Sequence, residues 1–162
     1  MRQGRVASIN VSDGGVPKLP VPRALLSPSG LAGDRQRDLR FHGGPDRAVS
    51  LFSLEVIESL RREGHPIDIG TAGENLTVAG LDWSAVGPGV ELEVGPALLL
   101  VTSYAGPCTL IQASFREGSF QRISQKVHPG SSRVYARVLV GGTLRVGDPV
   151  QRREGPPGPP SG

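Results

Sequence analysis

A single cysteine, at position 108, stands in a chain of 162 residues. One thiol closes no internal disulfide, which excludes a disulfide-stapled scaffold. It also excludes an all-cysteine iron–sulfur site within the chain. Aromatic residues are nearly as scarce: one tryptophan, two tyrosines and four phenylalanines. That leaves no basic surface interleaved with stacking rings, so a nucleic-acid partner is not expected. Apolar runs stay under ten residues, too short to cross a membrane as a helix. The opening MRQGRVASINVS lacks the apolar core of a secretory signal. These absences predict a soluble cytoplasmic protein with no membrane partner. No GxSxG elbow and no phosphate-binding GK[ST] occur, so neither a serine hydrolase nor a P-loop enzyme is indicated.

Charge of one sign is not abundant either. Eighteen basic residues face fifteen acidic ones, a formal net charge of +3. The excess is dispersed, compatible with a small anionic ligand and not with a polyanion.

What the chain has in quantity is glycine and proline, 23 and 15 residues. They separate short apolar runs, the pattern of a sheet-rich domain with tight turns. RVASINV (5–11) reads as an entering strand, and the prolines of LPVPRALL suit an edge strand or extended loop. Residues 48–52 read as a short apolar strand. A helix is expected from Ser53, with Ser53 as its cap, Glu55 in the first turn, a stripe of Leu54, Ile57 and Leu60, and Gly64 at its end. Two strands are expected around Gly95-Pro96, the second of them (ALLLV) central. Short helices are expected at 109–116 and 119–127. Residues 135–146 resemble a hairpin about Gly141-Gly142. One domain over 1–150 and a flexible Gly/Pro-rich tail over 151–162 complete the plan, the tail's end REGPPGPPSG having no aliphatic side chain to bury.

Candidate chemistry gathers at a few points. Cys108 follows a proline and precedes an expected helix, a setting compatible with a reactive thiolate or a soft metal ligand, and equally with a buried core residue. In FHGGPDRA, Gly43 and Gly44 permit close approach of a ligand and His42 can donate, accept or titrate. GLAGDRQRD carries Arg35, able to fork around an oxyanion, and Arg37, read as a solvated charge. Glu74 and Asn75 either hold a loop through hydrogen bonds or line a polar pocket. His42, His65, Cys108 and His128 lack zinc-ligand spacing.

In series, GLAGDR (30–35), FHGG-D-A (41–48), GENL (73–76), GL (80–81), the Pro107-Cys108 pair and YARVL followed by GD (135–148) resemble the MOSC domain, the module at the C-terminus of molybdenum cofactor sulfurases and in standalone bacterial proteins. The resemblance runs from the first strand to about Val150. It implies a mainly β, barrel-like fold with a few short peripheral helices. It implies that Cys108 is the protein ligand to molybdenum where the cofactor is carried, with His42 as a second catalytic group. Arg35, His42, Gly43, Gly44, Glu74 and Asn75 are then the residues expected around the pterin. The family often has GDRH, whereas position 36 here is Gln.

The resemblance carries three functions. One is reduction of an N-hydroxylated small molecule at a Cys-ligated molybdenum cofactor (molybdopterin), with electrons from an external donor. A second is a persulfide sulfur carrier for metal–sulfur cluster or cofactor assembly, loaded by a sulfur donor. A third is a non-catalytic cofactor-binding domain. A homo-oligomer is compatible with each.

Overall fold

The computed structural model describes residues 3–34 and 45–153. Eleven strands and one α-helix lie among these described residues. Seven strands form a closed barrel. Going round it, β1 (Gly4–Val11) meets β11 (Pro149–Arg152), then β7 (Glu91–Val94), β8 (Ala97–Ala105), β9 (Arg133–Val140), β5 (Val49–Ser53) and β6 (Leu76–Ala79), which returns to β1. Closure rests on the pairs Gly4↔Val150 and Arg5↔Pro149. All neighbours are antiparallel except β5 and β6, which run parallel with Leu51 opposite Leu76. Parallel neighbours need a crossover, and helix α1 (Leu54–Arg62) lies in the connection between them. The expected central strand, ALLLV, sits between β7 and β9. The short strand β2 (Leu19–Val21) pairs only with β1, so the proline-bearing segment is an edge.

Alternation decides which side chains face inward. Val49 and Leu51 of β5, Leu76 and Val78 of β6, and Val134, Ala136 and Val138 of β9 fill the barrel and are buried. The residues between them point outward: Ser50, Phe52, Thr77, Arg133 and Tyr135. A second apolar cluster covers part of this outer face, made of Phe52, Ile57, Leu60, Ile67, Ala72, Ile111, Phe115 and Ile123.

Helix α1 begins where expected. The Ser53 hydroxyl accepts the Val56 N–H at 3.2 Å, which satisfies one of the free donors of the first turn. Ile57 and Leu60 are its buried residues, with Val56 packed beside them. Leu54, expected in that stripe, is only half-buried. Burying a side chain such as Ile57 contributes about 1.5–3 kcal/mol. Gly64 closes the helix at φ +98°, a left-handed conformation open to glycine.

The short helices expected at 109–116 and 119–127 are present as 3-10 helices, at Thr109–Ser114 and Phe120–Ile123. One expectation needs correction. The Gly141-Gly142 turn does not fold a hairpin. Strand β10 (Gly142–Arg145) leaves β9 and pairs with β3 (Arg23–Ser27), which also pairs with β4 (Gly30–Leu31) in a separate three-stranded sheet. The reason is visible at Gly141: a Cβ there would collide with the carbonyl oxygen of Leu26. The turn is shaped by a neighbouring strand, not by the return of its own.

Strand β11 continues through Arg152. The expected domain edge at 150 therefore falls within a strand, and residues 154–162 lie outside the described residues. No helix among the described residues is long and apolar enough to cross a membrane.

Candidate functional site

Strand β8 ends at Ala105, and Gly106-Pro107-Cys108 carries the chain into the 3-10 turn Thr109–Ser114. The turn's apolar side, Ile111, joins the cluster under α1, so the helix holds the cysteine segment against the sheet. Cys108 itself is half-buried and not part of either apolar core. It lines a cavity of about 80 Å³ together with Ser50, Asn75, Arg133, Tyr135 and Lys18. The parity of the strands explains the grouping. Ser50 and Tyr135 are cross-strand partners on β5 and β9, both on the outer face. Asn75 directly precedes β6, and Arg133 stands two residues before Tyr135.

Arg133 is 7% exposed. Its Nη1 donates to the carbonyl of Ala72 at 2.8 Å and its Nη2 to the carbonyl of Gly106 at 3.3 Å. One guanidinium thus ties the loop leading to GENL to the loop carrying Cys108. Nε finds no acceptor among the described residues. Burial pushes the Arg133 guanidinium below its ordinary range, against the attraction of Tyr135, Glu74 and Cys108.

Asn75 is buried and saturated. Its Oδ1 accepts from the Ser50 N–H and hydroxyl at 3.0 and 3.3 Å. Its Nδ2 donates to the Asn10 carbonyl at 3.3 Å and to Asp34 Oδ2 at 2.9 Å. Asp34 in turn accepts from Lys18 Nζ at 2.7 and 2.9 Å and from the Ser12 N–H at 3.0 Å. Asp34 belongs to GLAGDR and Asn75 to GENL, so two motifs far apart in sequence are two ends of one network.

Glu74 is fully buried behind this wall. Its Oε2 accepts from the Gly70 N–H at 3.2 Å and the Thr77 hydroxyl at 3.0 Å. Oε1 has no partner among the described residues. Burial pushes this carboxyl up, although those hydrogen bonds and the Arg133 charge pull the other way. Gly70 sits at φ +81°, and a Cβ there would strike the carbonyl oxygen of Lys18. Glycine lets the loop before GENL lie directly on the Lys18 backbone.

The structure therefore brings Cys108 and Asn75 to one cavity and places Glu74 behind it. The sequence left open whether the Glu74–Asn75 pair holds a loop or lines a pocket. Glu74 holds a loop, and Asn75 both ties strands and borders the cavity. Arg35, Gln36, His42, Gly43 and Gly44 lie outside the described residues. His65 accepts the Arg116 N–H through Nδ1 at 3.1 Å and stacks edge-on against Phe115, away from Cys108's cavity. Among the described residues no group of three or more His, Cys, Asp and Glu converges as for a metal ion.

Sequence reasoning passed over Arg133, Lys18 and Asp34. The signal for Arg133 was the parity of RVYARVLV, which puts the arginine on the face opposite Val134 and Ala136. It takes the covering loops, which no local pattern specifies, to make that face a buried one. Lys18 offered no signal, since a lone lysine after a proline reads as solvated.

The sequence profile of the MOSC domain matches residues 38–151. The uncharacterized protein YflK of Bacillus subtilis is 33% identical over 138 residues, covering 82% of this chain and 60% of its own length. The protein YiiM of Escherichia coli is 32% identical over 105 residues, covering 62% of this chain and 47% of its own. The chain thus spans about half to three fifths of these curated relatives. Among solved structures, a hypothetical protein superposes over 96% of this chain and 70% of its own with a TM-score of 0.74 at 26% identity. YiiM from Geobacillus stearothermophilus does so over 93% and 75% with a TM-score of 0.69 at 24% identity, a likeness of fold. A seven-strand barrel, the Pro107-Cys108 pair beside a cavity and a profile match over most of the chain lead to one conclusion: this chain belongs to the MOSC domain family.

Proposed function

We propose that this domain binds the molybdenum cofactor through the thiolate of Cys108 and serves the reduction of N-hydroxylated small molecules. The observation that carries the reading is the position of Cys108: a half-exposed thiol on a cavity wall, with a buried cation in the same wall. A thiolate is a soft donor, suited to a thiophilic metal centre. The donor set fits a group that brings most of its own ligands, because the described residues offer one sulfur and no cluster of further ligands. When bound, the cofactor supplies the two-electron chemistry, and the protein supplies binding, orientation and electrostatics.

Within that division, Cys108 holds one coordination position, and Arg133 offers positive charge beside it. Asn75 shapes the wall but has no free hydrogen-bonding group for a ligand, since each of its polar atoms is already engaged. Glu74 supports the wall from behind. The substrate's N–OH must then be oriented by Cys108's other neighbours, with Arg35, His42, Gly43 and Gly44 assigned to ligand binding from the motif alone. His42 is the proposed proton donor in place of the family's histidine after GDR, where this chain has Gln36. Electrons come from an external donor.

The test is an assay of cofactor-loaded protein with a chemical reductant and an N-hydroxylated purine. Turnover in the wild type and its loss in Cys108→Ser are expected. No turnover by loaded wild type would remove the reductase reading.

A second reading has an observation of its own. Because Asn75 is spent on internal bonds and Glu74 lies behind the wall, the cavity's reactive and charged features centre on the Cys108 thiol and the Arg133 cation, and a persulfide carrier requires little more than an accessible thiolate. It predicts that Cys108 acquires a transferable sulfane sulfur from a sulfur donor without any metal.

A further inference from the structure

We propose that Arg133 makes the Cys108 cavity an oxyanion-binding site, selective for ligands that present a carboxylate- or phosphate-type group beside the thiol. A guanidinium has five N–H donors. Two of Arg133's are spent on the neutral carbonyls of Ala72 and Gly106. Nε has no acceptor among the described residues, and no salt bridge from Arg133 to a carboxylate is formed there. A buried charge is costly unless it is paired and fully hydrogen-bonded. Among the described residues Tyr135, Glu74 and Cys108 attract this charge; of these only Glu74 is fully buried, and burial favours the neutral form of its carboxyl. Arg133 is therefore an undercompensated cation in the wall of a cavity whose other reactive group is Cys108.

The lysine of the wall, Lys18, does not share this role. Lys18 is 8% exposed and is neutralised by both oxygens of Asp34. Arg137 is engaged by Asp46 at 2.8 Å, and Arg47 lies over the Tyr135 ring at 5.4 Å. The inference uses the pocket and not its metal: it holds whether Cys108 carries the pterin cofactor or a persulfide.

Alkylation of Cys108 with reagents matched in size and differing in charge tests it, because this is the chain's single cysteine. The chain is purified from a host that does not make the pterin cofactor. Iodoacetate carries a carboxylate, and iodoacetamide is neutral and of nearly the same size. Both consume the same thiolate, so the ratio of their rates cancels thiolate abundance. Relative to the urea-unfolded chain, folded protein is expected to favour iodoacetate by about fivefold at low salt. The preference should shrink as ionic strength rises. Arg133→Gln keeps an amide for the Ala72 carbonyl and removes the charge, and it should return the ratio to the unfolded value. Inorganic phosphate and acetate, tested separately as blockers of iodoacetamide, distinguish a phosphate site from a carboxylate site. A folded-state ratio equal to the unfolded one overturns the proposal, as does an unchanged preference in folded Arg133→Gln. Should that variant not fold, the blocking experiment on the wild type decides: saturable protection by either anion supports the site, and protection by neither overturns it.

Discussion

The side-chain amide of Asn75 donates to the carboxylate of Asp34 at 2.9 Å, across 41 residues of sequence. The same asparagine binds the backbone and hydroxyl of Ser50 on β5 and the carbonyl of Asn10 on β1. One buried side chain thus connects two barrel strands to the loop that enters residues 35–44. Asn75→Ala should leave several buried groups without partners and cost about 2–4 kcal/mol of stability, read as a lower urea midpoint with an unchanged slope. A loss below about 0.5 kcal/mol would show that the network is not what holds the loop.

Lys18 and Asp34 form a pair whose side chains are 9% and 5% exposed, at 2.7 Å. Breaking such a pair leaves a buried charge, so Lys18→Met should destabilise by about 3–5 kcal/mol. Changing Asp34 to Asn in the same chain should recover much of that loss. Additive effects of the two substitutions would contradict the coupling.

Glu74 makes a pH prediction. Burial raises its carboxyl above the 4.5 reference, so the folded chain binds that proton more tightly than the unfolded chain. The associated stability is complete below the unfolded value and is lost as pH rises through the folded one. Glu74→Gln imitates the protonated acid and can still accept from Gly70 or Thr77. The melting temperature of the variant minus that of the wild type should therefore increase between about pH 5 and pH 8. A constant difference over that range would mean that Glu74 does not titrate upward in the fold.

Strand β11 ends at Arg152, and the Arg153 N–H donates to the Glu91 carbonyl at 2.9 Å. Removing residues 154–162 leaves both intact, and thermal unfolding should move by less than about three degrees. A larger drop, or loss of folded protein, would assign those residues a structural role.

The strands and the capped helix were legible because their signals are local: period-two alternation in ELEV, a serine three residues before the N–H its hydroxyl accepts, and glycines at the ends of runs. The cysteine's place directly before a short helix was legible for the same reason. The Gly141-Gly142 turn misled because its partner strand, β3, lies more than a hundred residues earlier in the chain. Arg133 and Lys18 escaped notice since an arginine and a lysine read alike whether loops cover them or not. Asn75 read equally as a loop holder or a pocket residue and Asp34 carried no reading, and only the barrel brings them together. Arg35, His42, Gly43 and Gly44 remain assignments of motif.

The central claim, that Cys108 ligates a molybdenum cofactor, is tested most directly by the metal content of protein purified from a host that makes the pterin. Wild type and Cys108→Ser are purified in parallel, with circular dichroism confirming that both are folded. Molybdenum and pterin in equimolar amounts with wild-type chain, and strongly depleted in Cys108→Ser, are the expected result. Wild-type protein without molybdenum, or equal molybdenum in the two proteins, would contradict it.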